Sequence, residues 1–278
     1  MCRLKSGIIL KNRVFVPEYD SHTEMLEELG IKDDYLGASK TFVRVELSPA
    51  DGDVFSDIDT WKLTVDQDIT PEWYDEDTYK PQVVEAVKEW AKDHIHIGVD
   101  SLKIAAGRNH YIKDCKDVQI SDSATVEYIC GSPTVKNICD SAMVKYIYGS
   151  ATVEYICGSA TVEYICGSAT VKHIYGSAAV KYIYDSAMVK YIYGSATVEN
   201  IYGSATVKYI CDSATVEKAA GLSVVIGNRR GWNKKDTLIL AENATFKDCE
   251  SKTIYQSGNW KLVNVSEQNG VIRKGKTN

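Results

Sequence analysis

The sequence predicts a mainly β fold: a β-solenoid with an N-terminal α+β capping domain and a C-terminal β cap. Three observations predict it. A nine-residue unit close to Ser-Ala-Thr-Val-(Glu/Lys)-Tyr-Ile-(Tyr/Cys)-(Gly/Asp) recurs eleven times without a gap from Ser123 to Gly221. Its second position is alanine except at Pro133, its fourth is valine from Val126 to Val216, and its seventh is isoleucine from Ile129 to Ile210 before Ala219. Serine opens every unit and Gly or Asp closes it, a breaker that fits strands and turns and excludes a continuous helix. A strand-turn unit this short cannot bury its own apolar face, so stacking is the natural solution.

Two units read as one coil of about 18 residues, with a three-unit coil as the alternative. Eleven units then make a rod section roughly 26 Å long at the spacing of stacked strands. The second and fourth positions share a strand face by alternation, whereas the seventh has the opposite parity, so a bend or bulge must fall near the fifth and sixth. Those two positions, one always charged and the other Tyr, Asn, His or Lys, should face solvent. Asp140 to Glu154 is identical to Asp185 to Glu199, a displacement of five units. Nearly every other difference between units is reachable by a single base change. The array reads as a recent duplication, and a copied unit is a poor place for a unique catalytic residue.

The organisation along the chain follows: an α+β domain over 1–100, a solenoid over 101–221 with its regular repeats at 123–221, and a β cap over 222–278. In the first part, Gly7 to Leu10 and Arg13 to Val16 read as a hairpin turning at Lys11-Asn12. Ser21 opens a short helix with Glu24 in the capping-box position and Gly30 as its stop. Phe42 to Leu47 and Trp61 to Val65 alternate as strands, and a second helix is expected from Pro81 to about His94. Leu102 to Ile104, Tyr111-Ile112 and Val118 to Ile120 look like irregular opening coils, with Asp114 to Asp122 a degenerate unit. Val224 to Ile226, Thr237 to Leu240 and Trp260 to Val263 are further strand candidates, and both flanks have a capping role at hand, because open sheet edges aggregate.

Charge is uneven. Residues 1–122 carry 25 acidic against 15 basic side chains, the array 8 against 7, and residues 222–278 only 5 against 10. Ten acids against Lys62 alone lie between Asp51 and Asp77, read as a solvated loop face, with a divalent-cation site or an acidic surface imitating nucleic acid as sharper readings. The cluster Arg229, Arg230, Trp232, Lys234 and Lys235 could grip phosphates or a carboxylate-rich partner, or serve as a solubilising cap loop. Five of the eight cysteines occupy the eighth repeat position. Cys139 and Cys157 would be stacked neighbours in an 18-residue coil, so a disulfide or metal clip is geometrically conceivable. Tyr/Cys drift with reduced thiols is the preferred reading, and no spacing completes a zinc site. No apolar run is long enough to span a bilayer, and the start lacks a secretory apolar region, so a cytoplasmic protein is expected, in a host cytoplasm if the chain is phage-encoded.

Chemistry is sparse. Cys2 would be an N-terminal nucleophile only with its amine freed. His94 and His96 straddle a helix end, where a structural histidine is the ordinary occupant. No phosphate loop, dinucleotide fingerprint, nucleophile elbow or zinc-protease signature is present. The array resembles the short-repeat β-solenoid proteins of phages and gut bacterial mobile elements, and the run Val65 to Tyr74 is similar to segments that precede such arrays. That resemblance implies an architecture rather than an activity. Pentapeptide-repeat solenoids that mimic DNA are an analogue, but the near-neutral array does not fit that role.

The expected function is therefore a non-enzymatic, macromolecule-binding rod, a binding or inhibitory protein in phage-host conflict, with no catalytic residue, metal or cofactor. Its expected contact residues are Tyr128, Tyr146, Tyr164 and Tyr182 in one column and Tyr155, Tyr191 and Tyr209 in another, with the basic cluster. The partner would be an unknown protein or a nucleic-acid-binding partner, not a membrane. An enzyme or small-ligand site in residues 1–110, with His94 or Cys2 in a pocket wall, is one alternative. A structural protein self-associating through oppositely charged end caps is the other.

Overall fold

A computed structural model describes residues 4–227 and, beyond them, short segments at 239–240, 244–248, 253–256, 263–264 and 273–274. The chain divides into two compact units, Met1–His96 and Ile97–Asn278.

In the first unit, strands β1 (Lys5–Leu10), β2 (Arg13–Phe15), β3 (Phe42–Ser48) and β4 (Lys62–Val65) form an antiparallel sheet in the order β2-β1-β3-β4. Helix α1 (His22–Glu28) starts where expected: the Ser21 hydroxyl accepts from the Glu24 N–H at 3.3 Å, and Gly30 takes a left-handed φ of 66° just past its end. Helix α2 (Tyr35–Lys40) was not anticipated; Asp34 caps it by accepting from the Gly37 N–H at 2.8 Å. The long helix α3 (Glu76–His94) begins five residues before Pro81, not at it. Asp75 is the reason, since its carboxylate accepts from the Thr78 N–H at 3.0 Å and fixes the first turn upstream, leaving the proline to forgo one interior hydrogen bond. Lys5 is 1% exposed beneath this helix, its ammonium donating to Asp20 at 2.7 Å and lying 5.0 Å from the Trp90 ring centre.

The second unit is a β-solenoid of parallel strands. Each regular unit contributes one five- or six-residue strand, and every pairing between regular units joins residues 18 apart: Val126, Val144, Val162, Val180, Val198 and Val216 in one sheet, Val135, Val153, Val171, Val189 and Val207 in the other. Odd-numbered units thus build one sheet and even-numbered units the other, which makes the coil two units and retires the three-unit alternative. The Ala, Val and Ile columns from both sheets form one continuous buried cluster, each of these array residues at most 3% exposed. The ladder pairs run through the third, fourth, sixth and seventh residues and skip the charged fifth, which is the expected bend that turns both Val and Ile inward. The opening coils occur as expected at Leu102–Ile104, His110–Lys113 and Val118–Ile120. Past the array, Val224–Gly227 and Thr245–Asp248 extend the even-unit sheet in parallel, and antiparallel strands at Thr253–Gln256, Val263–Asn264 and Arg273–Lys274 follow.

The ninth position explains its own restricted alphabet. Every occupant has positive φ, for example 72° at Gly176 and 57° at Asp185, the region where glycine is free and aspartate is among the better tolerated side chains. Aspartate adds a hydrogen bond: the Asp185 carboxylate accepts from the Gly167 N–H one coil below at 3.1 Å, and Asp212 does so from Gly194 at 3.2 Å. Gly176→Asp is therefore expected to leave the unfolding free energy within about 0.5 kcal/mol of the parent, because the new carboxylate can reach the Gly158 N–H. Gly176→Val, which offers no acceptor in a left-handed conformation, should cost at least about 1–2 kcal/mol. Equal melting of the two variants would remove this account.

Candidate functional site

The outward residues of each strand are the third, fifth and sixth, and the sixth carries the aromatic column. Because the coil repeats every two units, alternate tyrosines fall directly above one another at the separation of parallel strands. On the odd-unit sheet, Tyr128, Tyr146, Tyr164 and Tyr182 stack with ring centres 5.3, 4.8 and 5.1 Å apart and planes within 13° of parallel. On the even-unit sheet, Tyr155, Tyr191 and Tyr209 share one column, with Tyr191 and Tyr209 5.2 Å apart. Both columns are as the sequence placed them.

Two members escaped the sequence reading. Tyr111 extends the odd ladder one coil below, 5.7 Å from Tyr128, because the degenerate opening coil is one residue shorter and pairs Tyr111 with Tyr128. His173 fills the gap between Tyr155 and Tyr191 at 5.2 and 5.1 Å, so the even ladder is unbroken over four coils. Position alone could have found His173, since it is the sixth residue of its unit.

A second aromatic set braces the first. Tyr148, Tyr175, Tyr184 and Tyr193, at the eighth position, meet the ladder rings of the coil below edge-on, with centres 5.9 to 6.2 Å apart and planes 87° to 88° apart. Such edge-to-face pairs add about 0.5–1.5 kcal/mol each beyond simple burial, which fixes the ladder rotamers. The eighth column, read from sequence only as Tyr/Cys drift, is thus a supporting row. Lysines at the fifth position lie near the same rings, Lys190 5.2 Å from the centre of Tyr191 and Lys181 5.5 Å from that of Tyr182.

The cysteines of that eighth column divide by parity. Cys139 and Cys157 occupy adjacent coils of the even sheet with Cα atoms 4.7 Å apart and are joined as a disulfide. This corrects the expectation of reduced thiols at these two positions; in-register stacking brought them within bridging distance, as two units per coil requires. Cys130 and Cys166, on the odd sheet, are both buried and separated by the coil of Tyr148, and Cys166 keeps its thiol, as does the half-buried Cys211 higher on the even sheet. Burial pushes the Cys166 thiol above its ordinary range, as it does those of Cys115 and Cys211. A thiol held protonated is a poor nucleophile.

Other sequence candidates have structural employment. His94, the last residue of α3, is 2% exposed, with Nδ1 2.7 Å from the Trp90 carbonyl oxygen and Nε2 2.7 Å from a Glu18 carboxylate oxygen. In the acidic run, Asp51 and Asp57 accept from backbone N–H groups two residues on, Asp75 caps α3, and Asp59 pairs with Lys88 at 2.7 Å. Among the described residues no three His, Cys, Asp or Glu side chains gather as a metal site, and no helix is long and apolar enough to cross a membrane. Arg229, Arg230, Trp232, Lys234, Lys235 and Cys2 lie outside the described residues.

No protein-family model, curated protein or solved structure matches this chain. Its own surface chemistry is the basis for a functional reading.

Proposed function

We propose that the solenoid is a non-enzymatic binding rod whose two sheets offer aromatic ladders to a macromolecular partner. The observation that carries this reading is the pair of outward ring columns, Tyr111 to Tyr182 on one sheet and Tyr155 to Tyr209 on the other, with Tyr128, Tyr164, Tyr155 and His173 braced edge-on. Tyrosine gives large contact area with few torsions to freeze, and stacking along the column already restricts them, so association loses less side-chain entropy. The core columns do the folding and leave these outer positions free to vary: the sixth position tolerates Asn137 and Asn200 in the same strand geometry.

That tolerance supplies the test. The fourfold change of Tyr128, Tyr146, Tyr164 and Tyr182 to Asn is expected to keep the far-ultraviolet dichroism and the core, yet to weaken capture of partners from a host lysate at least about 30-fold, the equivalent of losing one strong aromatic anchor. Unchanged capture by both this variant and its even-sheet counterpart, with Tyr155, Tyr191 and Tyr209 changed to Asn, would reduce the rod to a spacer.

A further inference from the structure

The fifth-position charges sort by face. On the odd-unit sheet the column reads Glu127, Lys145, Glu163, Lys181, Glu199, Glu217; on the even-unit sheet it reads Lys136, Glu154, Lys172, Lys190, Lys208, with Asp117 of the opening coil meeting Lys136 from below. The lower coils alternate in sign and neutralise themselves, Lys145 pairing with Glu127 at 3.1 Å, Lys136 with Asp117 at 2.7 Å and Lys172 with Glu154 at 3.4 Å. Toward the last coils the alternation fails in opposite senses. Lys190 and Lys208 follow Lys172 on one face, while Glu217 follows Glu199 on the other, and none of Lys190, Lys208, Glu199 or Glu217 has a salt-bridge partner among the described residues. Lys218, beside Glu217, is held 5.7 Å from the Tyr202 ring centre. The array that is nearly neutral in sum therefore carries a net positive column on one face and a net negative column on the other, at the same height.

Resting on the reading of these sheets as binding faces, we propose that the partner is a second copy of this chain: the even-unit sheet of one rod lies against the odd-unit sheet of a parallel neighbour, with Lys190 and Lys208 opposite Glu199 and Glu217. Two features favour a second copy over an unrelated partner. Like charges stacked on adjacent strands are destabilising, and the opposite face of another copy relieves both columns at once. The ring spacing is also the same on the two faces, 4.8 to 5.3 Å on the odd sheet and 5.1 to 5.2 Å on the even sheet. Charged and aromatic rows therefore stay in register coil after coil, as only a surface of equal pitch permits. The two faces differ, so the contact is head-to-tail and leaves an unused face at each end; assemblies grow laterally.

Sedimentation of the full chain tests this by charge reversal. At low salt the mean mass of the wild type should rise at least about twofold across a hundred-fold concentration series, and fall back at high salt where screening shortens to a few ångström. K190E/K208E gives two acidic faces and E199K/E217K two basic ones; each alone should stay monomeric, their equimolar mixture should associate, and the fourfold variant should recover wild-type behaviour. Circular dichroism confirms that each variant is folded. A wild type that remains monomeric overturns the inference, including the case in which its lysine column instead retains a single-stranded oligonucleotide, and so does reversed-charge material that associates like the parent. A monomeric wild type that still loses lysate capture on tyrosine replacement sinks the second copy alone. Tyrosine replacement that alters neither capture nor association sinks the binding reading itself.

Discussion

Ile165→Asp is expected to unfold the middle of the solenoid, whereas Ile165→Val should cost only about 0.5–1.5 kcal/mol and Ile165→Ala about 2–5 kcal/mol. Ile165 is fully buried and pairs in register with Ile147 below and Ile183 above. A carboxylate there has no polar partner column to meet, so it either loses its hydration or takes up a proton, at a cost of several kcal/mol either way. Because a solenoid couples each coil only to its neighbours, the damage should be local first. Native-state hydrogen exchange should show the amides between Ile147 and Ile183 opening before those of the outer coils, and thermal melts should lose cooperativity. An aspartate variant with parental exchange and melting would mean that the interior is not dry, and the account of the fold would go with it.

Breaking the link between Cys139 and Cys157 is expected to be the next largest change. The crosslink closes a loop of 18 residues, and chain-entropy arguments give about 3 kcal/mol for a loop of this size. In a chain of this length that is roughly 6–12 °C in the thermal midpoint. Calorimetry with and without dithiothreitol should show that drop in the wild type, and Cys157→Ser should show it without reductant and be insensitive to it. A reductant-independent midpoint in the oxidised wild type would show that the clip contributes nothing to stability.

The array was legible because three columns, Ala, Val and Ile, carry one message eleven times over, and repetition averages out the ambiguity of any short strand. Coil size needed more than periodicity, since nine residues are compatible with two or three units per turn; the 18-residue ladder from Val126 to Val144 decides it. The tyrosine columns follow directly from that number. What escaped were features set by three-dimensional neighbours. Tyr148, Tyr175, Tyr184 and Tyr193 read in sequence as one half of a Tyr/Cys drift, and only the edge-on meeting with the ring below shows their role. The Cys139–Cys157 bond was discounted for the same reason: codon drift explained the letters, but stacking decides the chemistry. In the first unit, Asp75 overrode the proline as a helix start and Asp34 nucleated a short helix, both through side-chain caps that a hydrophobic pattern does not register.

One unit is half a coil, and this has a consequence for how the molecule changes over generations. The two copies are displaced by an odd number of units, so Lys145 looks out from the odd sheet while its copy Lys190 looks out from the even one, and Glu154 and its copy Glu199 are exchanged likewise. Gaining or losing a single unit turns everything downstream in the solenoid through a half revolution; gaining or losing two restores its bearing. Slippage during copying thus acts on this rod as a ratchet with two settings, and the parity of the repeat number is a heritable trait that no substitution within a repeat can mimic.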